Sequence, residues 1–391
     1  MQNQLPQFDE MLQTLVGEES VSSLKPEIDR TNLRVIEHLA NWLDGLGFET
    51  EIQKLPDAEH KGNLIATLPA TTADANDTSG LVLAGHTDTV PYDDGKWQTD
   101  PFKITQQDDK LYGLGSCDMK GFFPVALNAI TSFLDKPRHA PITVIATSDE
   151  ESSMAGARYL AAGDRPPGQY AIIGEPTGLK PIYAHKGIAF MTIGLVGASG
   201  HSSNPDLGCN ALDAMHDVMG ELITFRKELA DANQNPAFEV HYPTMNLGCM
   251  HAGDSPNRIC SRAELQIDLR LLPGMDTTAT IEMMAMRLQQ AVANCDIKLE
   301  LSTHYPPIPP FESPNDGDLV NALATHSNQQ PGTVAFGTEG HFLQSLGLET
   351  VVWGPGSIDQ AHQPNEYLAR DQIADGTEVL RHMIQRYCVA Q

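Results

Sequence analysis

The chain has 391 residues, 41% of them hydrophobic, enough for two or three domains with apolar cores and too apolar for wholesale disorder. Its 25 basic and 51 acidic side chains give a formal charge of −26, which argues against a nucleic-acid backbone or an anionic membrane as partner. No apolar stretch approaches the roughly 20 residues of a membrane helix, and the opening MQNQLPQFDEMLQTL does not read as a signal peptide.

In chain order, Val35, Leu39, Trp42, Leu43 and Leu46 share one face of an expected helix. Short apolar runs at 63–69, 81–85, 142–147 and 171–174 then predict buried strands, with helices over 119–134 and 154–162. The segment 71–80 is a polar loop. This alternation predicts an α/β sheet with helices on both faces. From about residue 185 the order becomes strand, helix 207–230, strands near 240–250 and 262–272, helix 277–293 and strand 296–302. That βαββαβ order is ferredoxin-like. HYPPIPPFESP (304–314) reads as a stiff connector, after which helix 316–328, strand 349–354 and helix 371–387 resume the first texture. A domain of residues 185–303 is therefore expected to be inserted into one formed by 1–184 and 304–391.

Cys117, Cys209, Cys249, Cys260, Cys295 and Cys388 are scattered without a C-x-x-C pair, which fits reduced, mostly buried thiols in a soluble cytoplasmic protein.

Polar groups gather where apolar strands end. LVLAGHTDTV gives His86 and Asp88, LYGLGSCDMKG gives Asp118, ITVIATSDEES gives Glu150 and Glu151, and AIIGEPTG gives Glu175. Any one alone is more often a helix cap or a solvated loop residue. Several segments delivering acids to one sheet edge, where α/β sheets bind ligands, form a constellation. A pair of divalent cations makes such an acidic cluster tolerable, and a carboxylate can bridge the two. Asp88 leaves an extended segment on the same face as His86, so its carboxylate is expected to hold the imidazole's other nitrogen. A second imidazole is required, and GSIDQAHQPNEYL offers His362. Asp149 reads as a turn or cap residue.

Together, GHTDTVP, GLGSCDMKG, TSDEESSMAGAR, IIGEPT, GASGHSS and GPGSIDQAHQPNEY resemble the dinuclear-zinc amidohydrolase and metallopeptidase family, from end to end of the chain. The resemblance implies a mixed-sheet catalytic domain with an inserted ferredoxin-like dimerisation domain, and a homodimer. It implies two divalent metal ions, Zn2+ with Co2+ able to substitute. Asp118 would bridge them, His86 and Glu175 completing one shell and Glu151 and His362 the other. Glu150 takes the general-base position, Asp88 is counted with it among the catalytic residues, and a non-proline cis peptide is expected just after Asp118. His201, from the inserted domain of the other subunit, would donate to the oxyanion. Arg270, with Asn257 nearby, would bind the substrate's α-carboxylate, whereas Arg258 is as readily a surface residue.

AHKG, GHSS, NRI and PGSIDQAHQP fit best the branch that cleaves N2-acetyl-L-ornithine, a step toward arginine. Glu339 is the candidate for that substrate's side-chain ammonium. Gly337, Gly340 and His341 depart from the usual Cys-Thr-Glu-Ala-Pro-Phe pattern there. A desuccinylase, a general aminoacylase or a dipeptidase on the same scaffold is the nearest alternative; a non-catalytic metal-binding protein is the alternative from another class.

Overall fold

The computed structural model describes residues 5–72, 79–93, 95–293 and 296–389. Cys295 and most of the 71–80 loop lie outside the described residues; the other five cysteines are free thiols. Two compact units divide the chain. One comprises Met1–Tyr183, Ser313–Gly332 and Thr338–Gln391, the other Ala184–Glu312 and Thr333–Gly337.

The first unit is built on a mixed sheet. Its strands Glu49–Leu55, Ala58–Leu68, Ile142–Thr147, Leu81–His86, Tyr170–Ile173 and Glu349–Val352 are neighbours in that order. Leu81–His86 runs parallel to both Ile142–Thr147 and Tyr170–Ile173, and the latter runs parallel to Glu349–Val352. Ala58–Leu68 is antiparallel to Ile142–Thr147. LVLAGH and ITVIAT are buried at every position, as central strands covered on both faces must be, which is why they read as continuous apolar runs. Helix Leu33–Gly45 buries Val35, Ile36, Leu39, Ala40 and Leu43, whereas Trp42 and Leu46 are only partly buried.

Three differences from the expected elements have local causes. The helix expected from residue 119 begins at Phe122, because residues 119–121 form turns. Helix Phe8–Gly17 was passed over, although Met11, Leu12, Leu15 and Val16 make an apolar stripe of helical spacing. Strand Glu49–Leu55 carried no apolar signal: it is an outer strand, exposed along most of its length.

The second unit has the βαββαβ order, with helices Ala211–Ala232 and Thr277–Ala291. Its antiparallel sheet runs Thr244–Ala252, Arg262–Leu271, Gly187–Val196, Lys298–Thr303. Arg262–Leu271 alternates in burial, and its inward Ala263, Leu265, Ile267, Leu269 and Leu271 share a core with Met215, Val218, Leu222, Phe225, Met284 and Leu288. Each large side chain there contributes about 1.5–3 kcal/mol. The long helix starts at Ala211 rather than 207 because Asn210 stays extended and its side chain accepts the Leu212 N–H.

Candidate metal centre

The strand register decides where the polar groups come together. His86 pairs with Thr147, and Ala84 lies level with Ile173. His86 is thus the last residue of its strand, Glu150 and Glu151 follow Thr147 in the next loop, and Glu175 follows Ile173 and Gly174. Asp118 arrives from the loop ahead of helix Phe122–Thr131, and the Asp118–Met119 peptide is cis. That helix packs so tightly on Gly174 that a Cβ there would lie 2.1 Å from Phe122 Cγ. Only glycine allows this approach, which brings the Asp118 loop beside Glu175.

Asp118 occupies the centre. His86 Nε2 lies 3.1 Å from its Oδ1, and His362 Nε2 lies 3.5 Å from its Oδ2. Glu175 Oε1 is 4.0 Å from His86 Nε2, and Glu151 Oε2 is 2.9 Å from His362 Nε2. Two donor clusters result, His86–Asp118–Glu175 and Asp118–Glu151–His362, each with ligand atoms within 4.8 Å of one another. The shared carboxylate turns one oxygen to each imidazole, the arrangement a bridging ligand needs. Glu175 Oε1 is buried without a hydrogen-bond partner, and imidazole with carboxylate is a donor set that zinc accepts. The residues therefore fit a pair of divalent cations.

Without cations this cluster is electrostatically costly. Burial, then the neighbouring Glu175 charge, pushes the Glu150 carboxyl well above the usual range; burial, then Asp118, does the same to Glu175. Burial would lower the His86 pKa, but Asp118 and the surrounding carboxylates hold it well above the ordinary imidazole value. His362 is pushed up to about 10 by its hydrogen bonds to Asp118 and Glu151. Burial alone would raise Asp118, yet His362 and His86 hold it below the ordinary aspartate value. Both imidazoles are thus shifted toward the charged form by the carboxylates around them.

Asp88 behaves differently from its expected role. Its Oδ1 is 3.8 Å from His86 Nδ1, too far for a hydrogen bond, and that nitrogen instead faces the Asp88 backbone carbonyl at 3.1 Å. The carboxylate turns to the next loop and accepts the N–H groups of Glu150 and Glu151 at 3.3 and 3.1 Å. The extended-strand alternation that put both side chains on one face ends at His86, the strand's last residue. Asp149 is also more than a cap. It adopts φ 58°, its Oδ1 accepts from Lys61 Nζ and Ser22 Oγ at 2.8 Å each, and its carbonyl accepts the Met154 N–H at 2.6 Å. Lys61 was missed because one lysine in strand Ala58–Leu68 gives no sequence signal for a partner 88 residues on. Glu366, also missed, stood in plain view four residues after His362.

Glu339 belongs to the same unit and is almost fully buried, with Oε1 unpartnered. Burial pushes its pKa up to about 7 against a Thr147 hydrogen bond and the His86 charge. His201, Asn257 and Arg270 belong to the second unit. His201 and Asn257 are exposed on neighbouring loops: His201 bridges Arg258, its Nδ1 lies 2.8 Å from Ser203 Oγ, and Ser202 N donates to the Asn257 carbonyl. Arg270 lies over the Phe190 ring and donates to both carboxylate oxygens of Asp268, at 2.7 and 3.2 Å. Arg258 pairs with Asp254 on the surface.

Scaffold and paired clusters define the class: an α/β metallohydrolase with donors for two metal ions. The chain belongs to peptidase family M20/M25/M40, whose model matches residues 82–386. It is 43% identical over 388 residues to an acetylornithine deacetylase of Edwardsiella ictaluri (strain 93-146), covering 99% of this chain and 100% of that protein. An M20 family metallo-carboxypeptidase from Sulfolobus solfataricus shares the fold, with a TM-score of 0.75 at 19% identity over 97% and 99% of the two chains. So does a dinuclear metal binding peptidase of the M20 family from Bacillus subtilis, with a TM-score of 0.66 at 14% identity over 96% of each chain. Among the described residues no helix is long and apolar enough to cross a membrane.

Proposed function

We propose that the chain hydrolyses the amide of N2-acetyl-L-ornithine to L-ornithine and acetate, a step toward arginine in the cytoplasm. The observation that carries this reading is the 43% identity, over essentially the whole of both chains, to a deacetylase of that substrate. The two clusters sharing Asp118 supply the matching chemistry.

His86 and Glu175 would hold one cation, Glu151 and His362 the other, and Asp118 both. When bound, the two cations, with zinc favoured by the affinity order and cobalt able to replace it, would polarise the acetyl carbonyl and bring a water's pKa toward neutrality. Glu150 acts as general base: it takes the attacking water's proton and passes it to the departing α-amine. Its carboxyl suits both directions of transfer, because burial disfavours leaving it permanently ionised. Asp88 serves this step by gripping the backbone at Glu150 and Glu151.

The second unit provides the remaining recognition. His201, supplied by a second copy of the chain, donates to the oxyanion, so the working form is a homodimer joined through this unit. Arg270 gives its guanidinium fork to the substrate's α-carboxylate, exchanging Asp268 for it, with Asn257 assisting. In the first unit, the unpartnered carboxylate oxygen of Glu339 suits the ornithine ammonium. Gly337, Gly340 and His341, the departures from the usual pattern, lie beside Glu339 in sequence.

Hydrolysis rates on acetylornithine, succinyl-diaminopimelate and acetylmethionine, measured with the zinc- and cobalt-loaded protein, test the assignment. Acetylornithine should be cleaved with the highest kcat/KM. Equal rates on all three would overturn the substrate assignment.

A further inference from the structure

Glu366 is a carboxylate that the reaction does not use, yet it is only 2% exposed. Its Oε1 accepts the N–H groups of Cys117 at 2.7 Å and Asp118 at 2.9 Å, and its Oε2 accepts that of Gly115 at 3.0 Å. Its backbone carbonyl takes a fourth N–H of the same loop, that of Gly113, at 3.1 Å. The position follows from strand register. Tyr367 pairs with Tyr112 in the small sheet formed by Thr105–Gln107, Lys110–Tyr112 and Tyr367–Ala369, so Glu366 arrives where residues 113–118 leave it. Gly115 can turn its N–H inward because it sits at φ 76°.

We propose that Glu366 is the positioning residue for Asp118, and that the segment from His362 to Glu366 fixes donors of both metal clusters relative to each other. His362 belongs to one cluster, Asp118 to both, and the Glu366 side chain joins their two segments by hydrogen bonds to Asp118 and its neighbours. A loop with three of its N–H groups turned inward, unpaired, would be driven to reopen toward water, and Asp118 would move with it. Either protonation state of the carboxyl keeps an oxygen facing Cys117 and Asp118. Glutamine can therefore replace most of the hold, while losing the Gly115 bond.

This inference rests on Asp118 being the bridging carboxylate, and two measurements separate the two ideas. Zinc titration of the metal-free protein compares wild type with Glu366→Gln and Glu366→Met. The methionine variant should lose roughly 10–100-fold in affinity at both sites, the loss typical when a ligand's supporting partner is removed. The glutamine variant should lose clearly less, and both should keep the wild-type circular-dichroism spectrum. Wild-type affinity in Glu366→Met, or an equal loss in both variants, would overturn the role. Amide exchange of the peptide spanning 113–121, read on the metal-free proteins, needs no metal. It should be faster in Glu366→Gln than in wild type, with the rest of the chain unchanged, and this arm decides even where Glu366→Met does not fold. Unchanged exchange would overturn the hold; two-site binding absent from wild type, with exchange altered as expected, would instead count against the metal reading alone.

Discussion

Lys61 Nζ lies 2.8 Å from Asp149 Oδ1, so a buried cation grips the residue immediately before Glu150. The same nitrogen is 2.8 Å from Asp29 Oδ1, and the lysine side chain is only 1% exposed. Removing one partner of a buried pair leaves the other charge uncompensated, so Lys61→Met should destabilise the protein by about 3 kcal/mol in urea denaturation. A double change of Lys61→Met with Asp149→Asn should recover part of that loss. Additive losses in the double variant would show that the pair does not act as a pair.

Acid should expose the same network. Burial would raise the Asp29 pKa, but His60 and Lys61 outweigh it and hold the carboxyl below its ordinary value. The unfolded chain then binds this proton first, so the stability Asp29 contributes is present above the unfolded pKa of roughly 3.9 and is lost as pH falls through the lower folded value. Between those values Asp29→Asn should show a shallower fall of stability with acid than wild type. Identical slopes would mean that Asp29 has the same pKa folded and unfolded.

Glu150→Gln keeps shape and one acceptor oxygen but cannot carry the proton. Hydrolysis should fall by about 10²–10⁴-fold, while metal content by atomic emission and the thermal midpoint stay at wild-type levels. Retained activity would remove Glu150 from the proposed mechanism.

Metal binding should expel protons. In the metal-free protein His362 is pushed up to about 10 by its hydrogen bonds to Asp118 and Glu151, so it carries a proton near neutrality, and His86 and Glu175, buried among carboxylates, shift in the same upward direction. A cation must displace bound protons, and apparent zinc affinity should therefore rise with pH over roughly pH 6–9. Calorimetry in two buffers of different ionisation enthalpy measures the protons released per zinc. A heat independent of buffer would contradict the clustered geometry.

Gly174→Ala should destabilise the protein by about 1–3 kcal/mol, because the new methyl meets the Phe122 ring. Adding Phe122→Leu should restore part of the stability by clearing the space. No rescue would mean that the two residues do not pack as described.

The sequence by itself determined the metal-ligand candidates, because each stands just past an apolar strand or inside a compact motif whose spacing survives in one dimension. It also determined the βαββαβ order of the second unit, since alternation in RAELQIDLRL and helical spacing in 211–232 are local patterns. Polar contacts between distant segments were not legible. Asp88 was expected to hold His86, but the chain turns after the strand and its carboxylate meets the Glu150 and Glu151 amides instead. Asp149 looked like a cap because its partner Lys61 comes from a strand far away in sequence, and Glu366 looked like part of a motif without a task. Only the tertiary structure decided these roles: a hydrogen bond depends on where two segments meet to within a fraction of an ångström, whereas periodicity records only which face of its own element a residue occupies.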